Sequence, residues 1–454
     1  MLSQVVKVFG LALFLAGSIT WANSDVKNGT DQGGWTDLSA IPDPVPGPIK
    51  SAEEVADKKN AANARTTDSP ITPDAKVKPE ELMPDSGEGG VVAETSQELT
   101  LKPDYVRPLM PVNEIGKNDS NPRWAPNGGI LSFERASDGK QEIVIATIQG
   151  HVLKNIYHKS KVEDSGDFAL DILLPELEEA GNSFNANLTW SSNSKEFVFM
   201  SNAGEGNYDI YLDGLESVAA VRLTKERQKD AQPHWSPSGN NVVFVSGRSG
   251  GALIYLLDLQ TKMLKRVSQG NESFLYPRWS PDGKKIVVMY GSNENHDILV
   301  LDNPGEGFTI RAISRWNYDD LSPTWSPDGK KIAFYSNYNE EGNPKKWSIV
   351  VVDADLAETE DLKQFVVATN VIPDVASGPA WLPDGNHIVY VKNNEHDYSP
   401  IYIADIGSGM SRKLDTGTNI NHDVSCSKDG VIAFRTQVDQ WDRIYLTRIT
   451  NLKI

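Results

Sequence analysis

The sequence predicts an all-β fold, a β-propeller of seven blades, and three observations carry that prediction. A turn motif built around Ser-Pro-Asp-Gly recurs, with "WSPDGKK" spelled at both 279–285 and 325–331. Aligned on the tryptophan before that turn, the recurrences are 66, 45, 44, 46, 56 and 45 residues apart. A period near 45 belongs either to a propeller blade or to a paired-helix solenoid. The runs after each turn are short, β-branched and aromatic, and apolar spacing near 3.6 is missing, which decides for the propeller.

The seven units are "PRWAPNGGILSF" at Trp124, "LTWSSNSKEFVF" at Trp190, "PHWSPSGNNVVF" at Trp235, "PRWSPDGKKIVV" at Trp279, "PTWSPDGKKIAF" at Trp325, "PAWLPDGNHIVY" at Trp381, and "VSCSKDGVIAF", where Cys426 replaces the tryptophan. Ser-Pro-Asp-Gly reads as a type I turn: proline presets φ at the second position, and glycine accepts positive φ at the fourth. A strand such as "KIVVMY" follows, then a polar turn, then a third strand such as "ILVLD" or "SIVVVD", then a more polar fourth such as "IRAIS". Four strands per unit is the propeller pattern, with a six-bladed ring as the alternative count. The tryptophan is expected to fill the space between adjacent blades.

Ring closure needs a strand from elsewhere, because the chain reaches Ile454 just after the seventh third strand "RIYLTRI". The segment near 105–111 occupies the place of an outer strand and is expected to complete the last blade. Its prolines, Pro108 and Pro111, suit an edge. The two long spacings are read as insertions. Residues 160–183 include an expected acidic helix, and 354–364 an acidic loop or helical turn.

Ahead of the repeats the composition changes. Residues 1–22 read as a secretory signal, with Lys7 the only charged side chain, a 12-residue apolar stretch from Val8 to Ile19, and Thr20-Trp21-Ala22 as the cleavage site. The stretch is too short to span a bilayer, which takes about 20 residues. Ser18 stands where a lipoprotein would carry its lipidated cysteine, so a soluble exported protein is expected, periplasmic or extracellular. Residues 23–104 read as a disordered acidic tether rich in proline and glycine, with a short helix expected over 50–64. Between Asp25 and Asp104 there are 16 Asp/Glu and 8 Lys/Arg. Such a segment buries too little apolar surface to offset its ordering entropy.

The propeller domain is expected over 105–454. Its units resemble the propeller repeat of the TolB family, the periplasmic component of the Tol–Pal envelope system, through the Pro-x-Trp-Ser-Pro-Asp-Gly-Lys-Lys-Ile-Ala-Phe pattern best kept at 277–288 and 323–334. The resemblance implies an exported propeller that binds other envelope proteins. TolB carries an α/β domain ahead of six blades, whereas this chain has seven units behind an acidic segment. It is therefore read as a TolB-like repeat protein and not as TolB itself. Related repeats also occur in carbohydrate lyases.

The formal net charge of −18, with no Lys/Arg run, argues against nucleic acid as a partner. No Gly-x-Ser-x-Gly elbow, His-Glu-x-x-His or dinucleotide fingerprint is present, and Cys426, the single cysteine, excludes an intrachain disulfide and reads as an inert buried thiol. Of the seven histidines, His234 and His422 precede the turn motif. With Arg123 and Arg278 they are the residues that would form a basic pocket. Asp119, Asp230 and Asp320 share one repeat position, five before the tryptophan, with Asn185 and Asn421 in two other units. Such oxygens near the channel would suit Ca²⁺, against a reading as turn-forming rim residues; no cofactor is assigned.

The function expected is a non-enzymatic interaction module or scaffold of the cell envelope, with envelope or exported proteins as partners. The alternatives are a metal-assisted lyase of acidic polysaccharide and a structural component of a surface assembly. The binding face is placed on the segments before each repeat motif: 117–121, 183–187, 228–232, 272–276, 317–321, 374–378 and 419–423. The candidate partner-face residues are Phe274, Tyr276, Tyr318, Asp319, Asp320, His234 and His422, with the aromatics as anchors.

Overall fold

A computed structural model describes the backbone of residues 35–37 and 163–164 and, between 100 and 452, all residues except 110–115, 138–139, 158–162, 165–182, 205–206, 269, 271–272, 292–294, 303–307, 315–317, 340–341, 357–362, 395–397 and 451. The expected secretory signal, the 50–64 helix and most of the acidic segment lie outside the described residues. So does most of the insertion at 160–183.

Seven antiparallel sheets form, one per repeat. Blade 4 shows the pattern. Its innermost strand Phe274–Trp279 leads through the Ser-Pro-Asp-Gly turn into Lys285–Gly291, then His296–Asp302, then the outer strand Thr309–Ala312. The heptapeptide is thus the turn between first and second strands. The Gly283 amide donates to the Ser280 carbonyl at 2.9 Å, and Gly283 has φ 70°. Asp282 accepts from the Ser280 hydroxyl at 2.6 Å and from the Lys284 amide at 3.1 Å. These bonds hold its carboxyl below the usual carboxylate range. The turns also meet one another around the ring, since a Cβ on Gly329 of blade 5 would lie 3.3 Å from Pro281 of blade 4. That contact is a reason for neighbouring blades to keep the same letters.

The tryptophans sit between blades, as expected. Trp190, Trp235, Trp279 and Trp381 are buried, and the Trp325 indole donates to the Arg278 carbonyl of the preceding blade at 3.0 Å. Cys426 packs in the same place in blade 7, and burial pushes its thiol far up, away from the reactive thiolate.

Closure follows the sequence. Tyr105–Pro108 pairs antiparallel with Trp441–Arg448 and is the outer strand of blade 7. Leu109 beside it is buried with Leu131, Phe133 and Leu446, between blades 7 and 1.

Two features depart from expectation. Within the acidic segment, Trp35–Asp37 forms a short strand antiparallel to Met263–Arg266, the outer strand of blade 3. In the first insertion, Glu163–Asp164 is extended and parallel to Val221–Arg222 of blade 2, while the rest of the span in which a helix was expected lies outside the described residues. In both cases an outer strand offers unpaired backbone groups, and an extended neighbour satisfies them. Among its described residues the second insertion carries a 3-10 turn, Lys363–Phe365.

Candidate functional site: the mouth of the central channel

The innermost strands share one irregularity. In six blades their pairing with the second strand slips just before the repeat aromatic or cysteine, for example between Ala231 and His234. The residue three before the tryptophan has positive φ in every blade: Asn121, Asn187, Gln232, Tyr276, Ser322, Gly378 and Asp423. A bulge turns these residues out of the ladder and re-aims them. Neighbouring bulges are tied together. The Tyr276 amide donates to Gln232 Oε1 at 2.7 Å, and the Asn121 amide to Asp423 Oδ2 at 3.3 Å. The Asn187 amide donates at 3.0 Å to Glu134, a buried carboxyl whose pKa burial raises.

Blade 6 breaks the pattern. Its innermost strand is only Ala380–Trp381, and the preceding residues 372–379, "IPDVASGP", form a loop between prolines. Arg123 of blade 1 and Arg278 of blade 4 each donate an Nη2 to the Ala376 carbonyl, both at 2.8 Å. Ser322 of blade 5 donates to the Val375 carbonyl at 2.6 Å, and Thr324 to the Pro379 carbonyl at 2.9 Å. Arginines from blades 1 and 4 converging on blade 6 place this loop in the channel. Gly378 is required there, because a Cβ would collide with the Ser322 carbonyl.

Charges crowd around the loop. Burial pushes Asp374 up to about 6, with the Asp423 carboxylate adding to the shift. His234 accepts at Nδ1 from the Trp279 amide at 3.3 Å. Burial, then Arg278 and Arg123, lower it to about 3, so it is neutral at pH 7. The expected basic pocket therefore contains Arg123, Arg278 and His234. His422 is not a fourth member. It lies four residues before Cys426 rather than one, opposite Arg435 in the ladder, where burial and that arginine lower it to about 4.

The shared acidic position proves to be structural. Asp119, Asp230, Asp320, Asn185 and Asn421 are all buried, and all but Asp320 are bonded to separate partners. Arg135 holds Asp119 at 2.6 Å, Arg248 holds Asp230 at 2.8 Å, and Asn185 and Asn421 donate to the Gln141 and Ser399 carbonyls. Among the described residues no group of three or more His, Cys, Asp or Glu is arranged to hold a metal ion. In four of these five blades the residue is bonded to the surroundings of its innermost strand instead.

Asp320 has Ser314 and Ser336 hydroxyls facing it, and burial raises it to about 8. A raised carboxyl binds its proton more tightly in the folded chain. Its contribution is complete below the unfolded value near 4 and is lost as pH rises through about 8. Asp320→Asn is expected to flatten the fall in stability between pH 4 and 8, measured as urea midpoints across that range. An unchanged slope would show that Asp320 titrates normally.

Of the aromatic candidates, Phe274 is in the core against Tyr290, at 4.9 Å between ring centres, and is closed to any partner. Tyr276 is buried at a bulge, its hydroxyl pushed up to about 12 by burial. Tyr318 is half-buried at the rim and meets Tyr338 edge to face at 5.1 Å. Asp319 beside it accepts from His296 at 2.7 Å. The segments expected to be irregular are, in most blades, the bulged starts of innermost strands, and only 374–378 is a loop throughout. The loop was visible in the sequence as the one unit whose innermost strand is flanked by Pro373 and Pro379.

Fold and channel together define a seven-bladed β-propeller with a mouth lined by bulged strands. Its repeats are of the TolB type: residues 179–310 match the family model described as the TolB beta propeller domain, so this is a TolB-like propeller protein, with seven blades. Among solved structures it is similar to an oligogalacturonate lyase in complex with manganese (14% identity, 77% of this chain and 96% of that one, TM-score 0.53). It is similar also to an oligogalacturonate lyase from Vibrio parahaemolyticus (13%, 78% and 96%, 0.53). TolB from Acinetobacter baumannii aligns at 18% identity over 68% of this chain and 66% of that one, TM-score 0.44. At such identities the two lyase likenesses show a shared fold and nothing more. No curated protein matches the sequence.

Proposed function

We propose that this chain is a non-enzymatic interaction module that grips an extended polypeptide at the channel mouth, with exported or envelope proteins as partners. One observation carries the reading: side chains from blades 1, 4 and 5 already hold main-chain carbonyls of residues 372–379 inside the channel. Gripping carbonyls is how a surface holds a peptide whatever its side chains, with pockets beside it adding selectivity. Tyr318 and Tyr338 at the rim supply the aromatic contact that such interfaces use. An exported location rests on the first 22 residues; among the described residues no helix is long and apolar enough to cross a membrane.

The test is capture from a periplasmic extract on the immobilised full chain, with bound proteins identified by mass. Tyr318→Ala with Tyr338→Ala is expected to reduce capture at least about tenfold, the usual weight of an aromatic hot spot. The ring pair is worth about 0.5–1.5 kcal/mol beyond the area the two rings bury against the core, and melting curves check that the double variant is folded. Capture that survives the double change removes the rim from the binding surface.

A second reading is favoured by the Arg123–Arg278–His234 grouping, which suits an acidic polysaccharide substrate of a lyase. Metal-dependent cleavage of such a polysaccharide, lost in His234→Ala, would replace the module with an enzyme.

A further inference from the structure

Most buried arginines in this propeller are paired with carboxylates; among the exceptions, Arg443 donates alone to the Lys117 carbonyl at 2.9 Å, whereas Arg123 and Arg278 share a single acceptor. Arg135 is paired with Asp119 at 2.6 Å, Arg222 with Asp209 at 2.7 Å and Arg248 with Asp230 at 2.8 Å. Arg435 bridges Asp423 at 2.7 Å and Asp442 at 3.0 Å. Arg123 and Arg278 have no such carboxylate among the described residues. Both donate instead to one neutral oxygen, the Ala376 carbonyl. The Nε of Arg278 is buried with no hydrogen-bond partner. The nearest acids, Asp374, Asp423 and Glu134, act on the site through space and bond neither arginine: Asp374 takes the Ala376 and Ser377 amides on Oδ1 while its Oδ2 is buried without a hydrogen-bond partner, Asp423 pairs with Arg435, and Glu134 accepts from Asn121 and Gln141.

A buried guanidinium is normally matched by a negative charge. Two planar forks aimed at one point match a carboxylate, which accepts bidentate bonds about twice as strong as those of a neutral carbonyl. Arg278 is itself held down to about 10 by burial and by Arg123, the cost of two like charges sharing a weak acceptor.

We infer that the Arg123–Arg278 pair is a carboxylate-binding site for an acidic peptide, and that the loop 372–379 caps it with the Ala376 carbonyl until the peptide enters. The inference rests on the mouth being a peptide-binding surface. A peptide is favoured over other acids because the present occupant is a peptide held by its carbonyls. Besides the arginines, the cap is held by the Ser322 and Thr324 bonds, by the Ile372 amide on the Val391 carbonyl, and by Val375 packed against the core.

The experiment is calorimetric titration of the full chain carrying Ser322→Ala and Thr324→Ala, which loosen the cap. The probes are an alanine pentapeptide with a free C-terminal carboxylate, the same peptide capped as an amide, the amide with a central Asp, and trigalacturonate. One or both carboxylate peptides are expected to bind at least about tenfold more tightly than the plain amide. Preference between them tells a terminal carboxylate from a side-chain one. Arg123→Gln with Arg278→Gln, added to the loosened chain, is expected to remove that discrimination, and Arg123→Lys with Arg278→Lys to weaken it while keeping charge. Melting curves of each variant confirm folding, and a Gln pair that fails to fold leaves the Lys pair to decide. Equal binding of acid and amide, no measurable binding of any peptide, or discrimination surviving the arginine changes would overturn the site. Tight binding of trigalacturonate alone would overturn the peptide. Partner capture that depends on Tyr318 and Tyr338 while acid and amide bind equally would leave the module standing and remove only this site.

Discussion

A chain lacking residues 23–112 is expected to lose the cooperative unfolding of its propeller, whereas one lacking only 23–97 keeps it. The longer deletion removes the outer strand of blade 7 and the residues that carry it across the seam. Tyr105–Pro108 pairs with Trp441–Arg448, and the Asp104 and Leu109 amides donate to the Arg448 and Ile444 carbonyls at 2.7 and 2.9 Å. Arg107 reaches across the seam to the Ile148 carbonyl of blade 1 at 2.7 Å. Leu109 is 1% exposed. Truncating a buried leucine alone costs about 2–5 kcal/mol. Losing the strand as well removes most of a typical net stability of about 5–15 kcal/mol. The shorter deletion spares all of these bonds and, among the described residues, removes the Trp35–Asp37 pairing. Thermal and urea unfolding followed by tryptophan fluorescence decides it, and coincident transitions for the two truncations would refute the closure.

The second large effect is expected at Asp119. Its carboxylate takes two bonds from Arg135, at 2.6 Å from Nε and 3.0 Å from Nη2, and both residues are 1% exposed. The guanidinium also lies 5.3 Å over the Phe133 ring. Asp119→Ala leaves that cation buried without its partner, which costs about 3–5 kcal/mol. The paired change Asp119→Leu with Arg135→Met is expected to recover most of this loss, because the desolvation of both charges disappears with them. Urea unfolding of the two variants measures the difference. A double variant as unstable as the single one would show that the pair supplies more than mutual neutralisation.

Much of this molecule is legible in one dimension, because its contacts repeat at short range. The Ser-Pro-Asp-Gly turn closes on itself through Ser280, Asp282 and Gly283, and the strands after it are read from their side chains. Seven such units imply seven blades, and the unmatched last unit implies a borrowed strand. The tryptophan positions mark the packing between blades for the same reason: a large apolar ring must be covered by something.

The site was legible only in part. Arg123, Arg278 and His234 carry one repeat position and do meet. Asp119, Asp230 and Asp320 also carry one repeat position, yet they do not meet: Asp119 and Asp230 are each held by an arginine of their own blade, and Asp320 is buried. Phe274 and Tyr276 looked like anchors by residue type, but depth below the surface is a property of packing. His422 differs from His234 by three places in the repeat, enough in a bulged strand to put it opposite Arg435.

By itself the sequence determined the blade, its turn, its number and the strand that closes the ring, since those rest on local bonds and on period. Only the tertiary structure decided what fills the channel. Residues 123, 278, 322 and 376 lie far apart in the chain and are brought together because closure of the ring turns one end of every innermost strand toward a common axis. There Pro373 and Pro379 bracket a loop in place of a full strand, and two arginines without a carboxylate meet its single carbonyl.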